Sequence, residues 1–282
     1  MAEQRQVQVH LLPELVPTGG LRGATAVAID VLRATTTIIT ALVAGCTDIR
    51  PCGTVEEARE VAGGLPAGRT LLGGERHNVK IEGFDLGNSP LEYTAEVCQG
   101  KTLVMTTTNG TRAVLRAAEA ERVLIAGFVN FSAVCEQLRQ DRRPVHIVCA
   151  GTDGAVTLED TLLAGALVHR LCAGSDPQLN DSAQLAWDGF KQRGSCLLAA
   201  LEISEGARRL LELDHGRDIG FAAGVDRFHL VPVLRQDPLR VEAGASGVVP
   251  SHWHREPLAV GAPRHPAHED TERTTDTAAG TG

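Results

Sequence analysis

Chemically reactive side chains follow the first long apolar segment of this chain. Residues 26–29 are small or β-branched, which is typical of a strand buried on both faces, and Asp30 and Arg33 come next. Three threonines then lead into a predicted helix over about residues 36–44. A carboxylate beside a guanidinium and a hydroxyl-rich helix start suits a metal ion and an anion held close together, because open α/β sheets bind ligands at the carboxyl ends of their strands. The alternative is that Asp30 only caps the turn and that the threonines satisfy the first helical amides.

The segment 106–112, with the sequence TTTNGTR, is a second candidate anion site. A predicted strand ends in three threonines, Asn-Gly forms a turn with exposed amides, and a predicted helix begins at Thr111. Hydroxyls, amides and a helix dipole directed at one point can hold phosphate or sulfonate oxygens. An ordinary turn in a threonine-rich segment is the alternative. The predicted anion-binding residues are Arg33, Arg76, Thr108, Asn109, Gly110, Thr111 and Arg112.

A second group of carboxylates follows the predicted strand over residues 145–149. With the acids after the earlier strands, they could supply oxygen ligands to one Mg²⁺, a hard cation usually held by a few carboxylates, water and substrate phosphate. Two local alternatives stay open: Asp160 could form a capping box with Thr157, and Asp153 could belong to a turn with Gly154. The predicted metal ligands are Asp30, Glu75, Asp153 and Asp160, and the candidate catalytic carboxylates are Asp30 and Glu159.

The positions of these residues depend on a regular alternation of predicted strands, loops and helices up to about residue 175. Such alternation predicts an α/β fold with a mostly parallel sheet and helices on both faces. The loops that follow the strands then emerge at one edge of the sheet, so side chains far apart in sequence are expected to meet there. Residues 7–12 are predicted as an edge strand, and residues 77–88 as a long polar loop.

The C-terminal part, from about residue 175 to 240, is predicted to be mainly helical, with a last strand at 228–234. From about Val241 the chain is rich in Gly, Ala, Pro, Thr and His and has no periodic pattern, which predicts a disordered tail. We therefore expect one domain over residues 1–240 and a tail over residues 241–282.

The composition excludes several classes of partner. A net charge of −8 and a pI near 5.7 argue against nucleic acid and against an anionic membrane surface. Seven cysteines without a CxxC pair are typical of free thiols in a reducing cytoplasm rather than of a disulfide framework or a zinc site. No segment has the pattern of a signal peptide or the length of a transmembrane helix. We expect a cytoplasmic protein that does not bind membranes, and homo-oligomeric assembly stays open.

Several phosphatase mechanisms are inconsistent with the sequence. A thiolate phosphatase needs an arginine six residues after its cysteine, but Ala155 stands six residues after Cys149. An aspartyl-phosphate enzyme needs a second acid two residues after the first, but Leu32 stands two residues after Asp30. The segment Arg-His-Asn at 76–78 lacks the glycine of the histidine phosphatases, and no GxxxxGK[ST] segment is present. Metal-assisted attack by water remains, with carboxylates holding the ion and Arg, Thr and amide donors neutralising the transferred group.

Five segments resemble the signature blocks of a known family. In chain order they are IDVLRATTTI, LLGGER, IEGFDLGNSPLEY, KTLVMTTTNGTRA and IVCAGTDGAVTLEDTLLAGALVHRL, and the resemblance extends over roughly residues 5–236. These blocks are similar to those of the 2-phosphosulfolactate phosphatase family. The resemblance implies a three-layer α/β/α fold. It also implies an Mg²⁺-dependent phosphoric monoester hydrolase that converts 2-phosphosulfolactate to sulfolactate and phosphate, a step toward coenzyme M.

Two functional hypotheses follow. The first is a magnesium phosphatase that acts on a small anionic phosphoester, with 2-phosphosulfolactate or a different phosphoester as the substrate. The second is a non-catalytic binder or sensor of a small organic phosphate or sulfonate, which would need the arginines and threonines but not the acids. The sequence favours the enzyme, because several carboxylates at a pure anion site would repel the ligand.

Overall fold

Strand β2, Thr25–Ile29, shows why the chain forms a sheet with two covered faces. All five of its residues are buried. Its side chains alternate between two hydrophobic cores: Ala26 and Ala28 belong to one core, and Val27 and Ile29 belong to the other. Because successive side chains of a strand point to opposite faces, a strand that is apolar at every position must be covered on both sides.

The computed structural model describes residues 4–173 and 175–244. In this part of the chain the strands form one eleven-stranded sheet in the order β5-β4-β6-β3-β11-β10-β7-β2-β8-β1-β9. The strands are β1 (Gln6–His10), β2, β3 (Asp48–Pro51), β4 (Thr70–Arg76), β5 (Val79–Lys80), β6 (Thr102–Thr106), β7 (Arg122–Ala126), β8 (Val145–Cys149), β9 (Gln178–Leu179), β10 (Pro232–Gln236) and β11 (Leu239–Ala243).

Helices cover both faces of the sheet, which confirms the predicted α/β fold. The α-helices are α1 (Ala34–Val43), α2 (Val55–Gly63), α3 (Ala95–Cys98), α4 (Gly110–Ala117), α5 (Phe131–Gln140), α6 (Leu158–Cys172), α7 (Asp181–Arg193), α8 (Leu197–Glu202), α9 (Glu205–Glu212) and α10 (Gly216–Ala222). Helices α1, α3 and α4 fill the core that contains Ala26, whereas α5 to α10 fill the core that contains Val27. No helix among the described residues is long and apolar enough to cross a membrane.

The sheet is mostly parallel, as predicted, but an antiparallel hairpin joins its two halves. Strands β4, β6 and β3 are parallel neighbours, as are β7, β2, β8 and β1. Between these groups, β10 and β11 pair antiparallel with each other, with β7 and with β3. Helix α4 follows β6 in one half, yet it packs against β2 and β8 in the other half and against β3. This crossing brings the segment after β6 close to the segment after β2.

Three predictions about the chain ends need correction. Strand β1 is not an edge strand, because it pairs with β8 on one side and with the two-residue β9 on the other. The predicted strand at 228–234 lies later, as β10, because antiparallel pairing with β7 fixes its register at Val233 and Leu234. The predicted tail begins too early, since residues 241–243 belong to β11. The rest of the predicted tail, residues 245–282, lies outside the described residues.

Two buried histidines connect neighbouring strands on one side of the sheet. His10 Nε2 and His146 Nδ1 lie 3.0 Å apart, and the rings stack with an interplanar angle of 9°. One ring nitrogen must donate and the other must accept, so at least one imidazole is neutral. Burial lowers the pKa of His10, and burial together with the neighbouring His10 lowers the pKa of His146 to about 4. The pair therefore favours the folded state only while it stays unprotonated.

We expect the contribution of His146 to the free energy of unfolding to fall as the pH decreases from about 6.5 toward 4. The unfolded chain binds a proton at a histidine near pH 6.5, whereas folded His146 binds one only near pH 4, so acid favours the unfolded state by at most about 1.4 kcal/mol per pH unit for one proton. Urea unfolding at pH 7.5 and pH 5 measures this slope. His146→Gln should reduce it and the control His215→Gln should not; equal slopes in all three proteins would contradict the prediction.

Candidate functional site

Asp30 lies at the carboxyl end of β2, where the strand meets the first residues of α1 and α4. Its side chain is buried, with 8% of the residue exposed. A Cβ atom on Gly110 would lie 2.4 Å from Asp30 Oδ2, so this close approach requires glycine at the start of α4. Burial is the main cause that raises the pKa of Asp30 to about 7; the nearby carboxylate of Glu75 adds to it, and a hydrogen bond from the backbone of Ala34 opposes it. The guanidinium of Arg33 favours the ionised form of Asp30, and a further cation beside this carboxylate would favour it more.

Glu75 reaches the same place from the end of β4. Its Oε1 accepts a hydrogen bond from the backbone N–H of Thr108 at 2.7 Å. Its Oε2 accepts hydrogen bonds from the backbone N–H of Asn78 at 2.7 Å and from the hydroxyl of Thr108 at 3.1 Å. The preceding Gly74 lies so close to β6 that a Cβ atom would be 1.9 Å from the carbonyl oxygen of Thr106. The buried carboxylate of Glu75 is thus held in one orientation by the turn after β4 and by the loop that follows β6.

Arg33 supplies a buried positive charge beside these acids. Its side chain is 2% exposed, and its Nη1 donates a hydrogen bond of 2.8 Å to Asp218 Oδ2 on α10. Its Nη2 lies 3.4 Å from the carbonyl oxygen of Asn78. Its Nε is buried and has no hydrogen-bond partner in the described part of the protein. The guanidinium therefore keeps donors available for an anion after the contact with Asp218 is made.

An exposed ion pair forms the rim of the site. Asp153 and Gly154 form a turn between Thr152 and Ala155, which confirms the local alternative to a metal-binding role for Asp153. The carboxylate of Asp153 accepts a hydrogen bond of 2.6 Å from Arg209 Nη1, which links the segment after β8 to α9. Because both side chains are more than one third exposed, this pair contributes little to stability and can open readily.

These segments enclose one cavity at the carboxyl edge of the sheet. Residues at or after the ends of β2, β4, β6 and β8 meet there, together with two residues of α9. The lining residues are Asp30, Leu32, Arg33, Glu75, His77, Asn78, Asn88, Thr108, Asn109, Gly151, Thr152, Asp153, Gly206 and Arg209. Asp30 and Asn109, which are 79 positions apart by their numbers, line the same cavity, as the predicted convergence of strand-to-loop junctions requires.

Comparison with known proteins identifies the family. The sequence model described as 2-phosphosulpholactate phosphatase matches residues 10–237. The chain belongs to the 2-phosphosulpholactate phosphatase family. It is 43% identical over 220 residues to a protein of Thermotoga maritima, with 78% of this chain and 93% of that protein covered. It is 40% identical over 220 residues to a protein of Caldanaerobacter subterraneus subsp. tengcongensis, with 78% and 91% covered. Both are named probable 2-phosphosulfolactate phosphatases.

In this member of the 2-phosphosulpholactate phosphatase family, the cavity contains only some of the predicted anion-binding residues. Arg33, Thr108 and Asn109 line it, and Gly110 contacts Asp30. Four of the seven predicted residues do not line it. Besides Gly110, these are Arg76, which donates to the hydroxyl of Thr106, Thr111, which is buried and bonded to Thr107, and Arg112, which is 54% exposed and paired with Glu14.

The threonines after Arg33 have a structural role, but they do not satisfy the first helical amides as the alternative predicted. Thr35 Oγ1 accepts a hydrogen bond from the backbone of Asp30, Thr36 donates to the carbonyl of Val31, and Thr37 donates to the carbonyl of Asn88. All three side chains are buried. They hold the start of α1 against the neighbouring segments and do not line the cavity.

The acids of α6 lie behind the cavity. Asp160 forms no capping box with Thr157; its oxygens accept hydrogen bonds from the backbone N–H groups of Val31, Ala150 and Gly151 at 2.8, 3.1 and 3.1 Å. Asp160 thus ties the end of β2 to the end of β8.

Glu159 is buried, its Oε2 has no hydrogen-bond partner among the described residues, and a Cβ atom on Gly206 would lie 2.6 Å from its Oε1. Burial raises the pKa of Glu159. Glu159 therefore lies against Gly206, which lines the cavity, but Glu159 itself does not line it.

Four residues that shape the site were not predicted from the sequence. Asn78 and Asn88 lie in the long polar loop over residues 77–88. The length of this loop indicated a function, but its sequence did not indicate which of these asparagines takes part. Arg209 and Asp218 come from the C-terminal helices, which gave no chemical signal. Their roles depend on contacts with residues more than fifty positions away in the sequence.

The structure does not assemble the four predicted metal ligands into one cluster. Among residues 4–173 and 175–244, no group of three or more His, Cys, Asp or Glu side chains is arranged to hold a metal ion. Asp160 is bonded to backbone amides, and Asp153 is paired with Arg209. Asp30 and Glu75 remain, and Mg²⁺ needs only one or two protein carboxylates when water and substrate phosphate complete its coordination. The buried Oδ1 of Asn88, which has no hydrogen-bond partner within the described residues, is a further oxygen at this cavity.

Proposed function

We propose that this protein is a cytoplasmic, Mg²⁺-dependent phosphatase that hydrolyses 2-phosphosulfolactate to sulfolactate and inorganic phosphate. The observation that carries the proposal is the arrangement of Asp30 and Glu75 beside the guanidinium of Arg33 in one cavity. Membership of the 2-phosphosulpholactate phosphatase family and the names of the relatives support the same chemistry.

The charges that line the cavity favour an enzyme with a cation over a simple anion binder. Arg33 is neutralised by Asp218 and Arg209 is neutralised by Asp153, so Asp30 and Glu75 are left as excess negative charges. A phosphate dianion entering this cavity alone would be repelled by both of them. A divalent cation held by Asp30 and Glu75 would remove that repulsion.

Each residue of the site then has a definite task. Asp30 and Glu75 would hold Mg²⁺, which supplies charge neutralisation and polarises oxygen ligands when it is bound. Arg33 binds the phosphoryl oxygens with the guanidinium donors that Asp218 does not use. Thr108 fixes the carboxylate of Glu75, and Asn109 accepts a hydrogen bond from the backbone of Asp153 at the rim. Water attacks phosphorus as the bond between phosphorus and the ester oxygen breaks, and the released sulfolactate oxygen takes up a proton that the water supplies. These donors neutralise the charge of the transferred group.

Phosphate release from a panel of phosphomonoesters tests the proposal. We expect release from 2-phosphosulfolactate with Mg²⁺, slower release from 2-phospholactate, which lacks the sulfonate, and none with EDTA. Equal rates for both esters would support phosphatase activity but would show that the enzyme does not select for a sulfonate. Binding of sulfolactate without any turnover would instead favour the non-catalytic binder.

The affinity for Mg²⁺ is expected to rise with pH. Because the pKa of metal-free Asp30 is raised to about 7, protons compete with the cation for this carboxylate below that pH. The dissociation constant should therefore increase by up to about tenfold for each pH unit below 7 and level off above it. Isothermal titration with Mg²⁺ at pH 6, 7 and 8 measures the trend. An affinity that does not change over this range would show that Asp30 does not bind the ion.

A further inference from the structure

The guanidinium of Arg33 is oriented by a carboxylate that lies 185 residues later in the sequence. Asp218 is on α10, and both side chains are only 2% exposed. Asp218 Oδ2 accepts the hydrogen bond from Arg33 Nη1 at 2.8 Å, and Asp218 Oδ1 accepts one from the hydroxyl of Ser89 at 2.7 Å. Both carboxylate oxygens are therefore engaged, so this carboxylate cannot rotate without losing a buried hydrogen bond.

Arg33 has no second strong contact in the described residues that would fix its plane. Its Nε is buried without a partner, and its Nη2 is 3.4 Å from the carbonyl of Asn78, which is long for a hydrogen bond. An arginine side chain has several rotatable bonds, and a carboxylate in a fixed position selects among its orientations. The contact with Asp218 thus decides where the remaining donors of Arg33 point.

We infer that Asp218 is a positioning residue for phosphate recognition and that Ser89 supports it. Asp218 lies outside the lining of the cavity and acts only through Arg33, which lines it. This inference rests on the proposed function. It gives the C-terminal helices a role in substrate binding: α10 supplies the carboxylate that aims the phosphate-binding arginine at the carboxyl edge of the sheet.

A purely structural role is the competing explanation, because a buried ion pair between α10 and the segment after β2 also holds the fold together. The two explanations differ in what depends on Arg33. A structural role changes the stability of the protein and leaves the affinity for phosphate in the folded fraction unchanged. A positioning role weakens phosphate binding only when Arg33 is present to be positioned.

Inhibition of the full-length enzyme by inorganic phosphate, measured with Mg²⁺ present, separates these explanations. We expect Asp218→Asn to raise the inhibition constant of phosphate and the KM of the phosphoester by about 10- to 100-fold, which is the loss of one charge-assisted hydrogen bond. Ser89→Ala should give a smaller rise in the same direction and decides the matter if Asp218→Asn does not fold. In an Arg33→Ala background, Asp218→Asn should change the inhibition constant by no more than about twofold.

Asp226→Asn is the matched control. Asp226 accepts hydrogen bonds from the hydroxyl and the backbone N–H of Ser132 on α5 at 2.6 and 2.7 Å. It therefore also ties the C-terminal part to an earlier segment through a serine, but away from Arg33. Asp226→Asn should lower the melting temperature and leave the inhibition constant of phosphate and the KM of the phosphoester unchanged. If the wild type is active and both Asp218→Asn and Ser89→Ala leave the inhibition constant and the KM unchanged, the positioning role is overturned but the proposed function is not. A wild type that neither releases phosphate from the ester nor binds it would overturn the proposed function, and the inference with it.

Discussion

Replacing Asp30 with Asn should lower kcat for phosphoester hydrolysis by about 10²- to 10³-fold or more while the protein stays folded. Asparagine has the shape of aspartate, so the close contact with Gly110 is preserved. It lacks the negative charge that the proposed Mg²⁺ site needs. The substitution also removes a buried charge next to Glu75, which itself raises the pKa of Asp30. We therefore expect the melting temperature of the metal-free variant to be equal to or higher than that of the wild type.

Steady-state kinetics with saturating Mg²⁺ and thermal unfolding in EDTA check both parts of this expectation. Asp188→Asn is a suitable control, because Asp188 is an exposed acid on α7 paired with Lys191 and lies outside the cavity. It should leave kcat unchanged. Near-normal turnover of Asp30→Asn would remove Asp30 from the proposed site, whereas a loss of activity with a large fall in melting temperature would indicate a structural role.

Arg33→Ala should destabilise the protein by about 3–5 kcal/mol, and Arg112→Ala by at most about 1 kcal/mol. Both arginines were predicted from the sequence to bind an anion. Removal of Arg33 leaves the carboxylate of Asp218 buried without its positive partner. Removal of Arg112 only breaks an exposed ion pair with Glu14. The difference in burial therefore predicts the difference in the free energy of unfolding, which urea denaturation measures.

We expect the substitutions of the same two arginines to differ in their effect on enzymatic activity. Arg33→Ala removes the buried cation of the cavity and should lower kcat/KM by at least about 100-fold, whereas Arg112→Ala should stay within about twofold of the wild type. The double variant Arg33→Ala with Asp218→Asn should recover part of the lost stability, because it no longer buries an unpaired charge, but it should recover no activity. Similar losses for Arg33→Ala and Arg112→Ala would contradict the assignment of the cavity.

The position of Arg112 could have been predicted from the helix that carries it. Ala113, Val114 and Ala117 form the buried face of α4, and Arg112 with Arg116 lies on the other side, four residues apart. Arg112 also follows Gly110 by two residues, which is a rotation of about 200° around the helix axis. A side chain on the opposite face from Gly110 cannot reach the carboxylate of Asp30.

Asp160 shows the opposite case, in which local sequence pointed to the wrong contacts. The spacing from Thr157 matches a capping box, and helix N-termini commonly use one. In the structure the carboxylate accepts hydrogen bonds from backbone amides at the ends of two neighbouring strands. Three buried amides offer more hydrogen bonds than the local cap, and they become available only after β2 and β8 have paired.

The sequence by itself determined most of the strands, most of the helices and the edge at which the chemistry lies, because burial on both faces and strand–helix alternation produce local patterns. It thereby placed Asp30, Glu75, Thr108 and Asn109 at the carboxyl ends of their strands. Only the tertiary structure decided that the β10–β11 hairpin joins the two parallel halves, that α4 crosses to β2, and that Asp218 pairs with Arg33. These outcomes depend on packing and hydrogen bonds between segments far apart in the chain, and such partners leave no periodic signal in either segment alone.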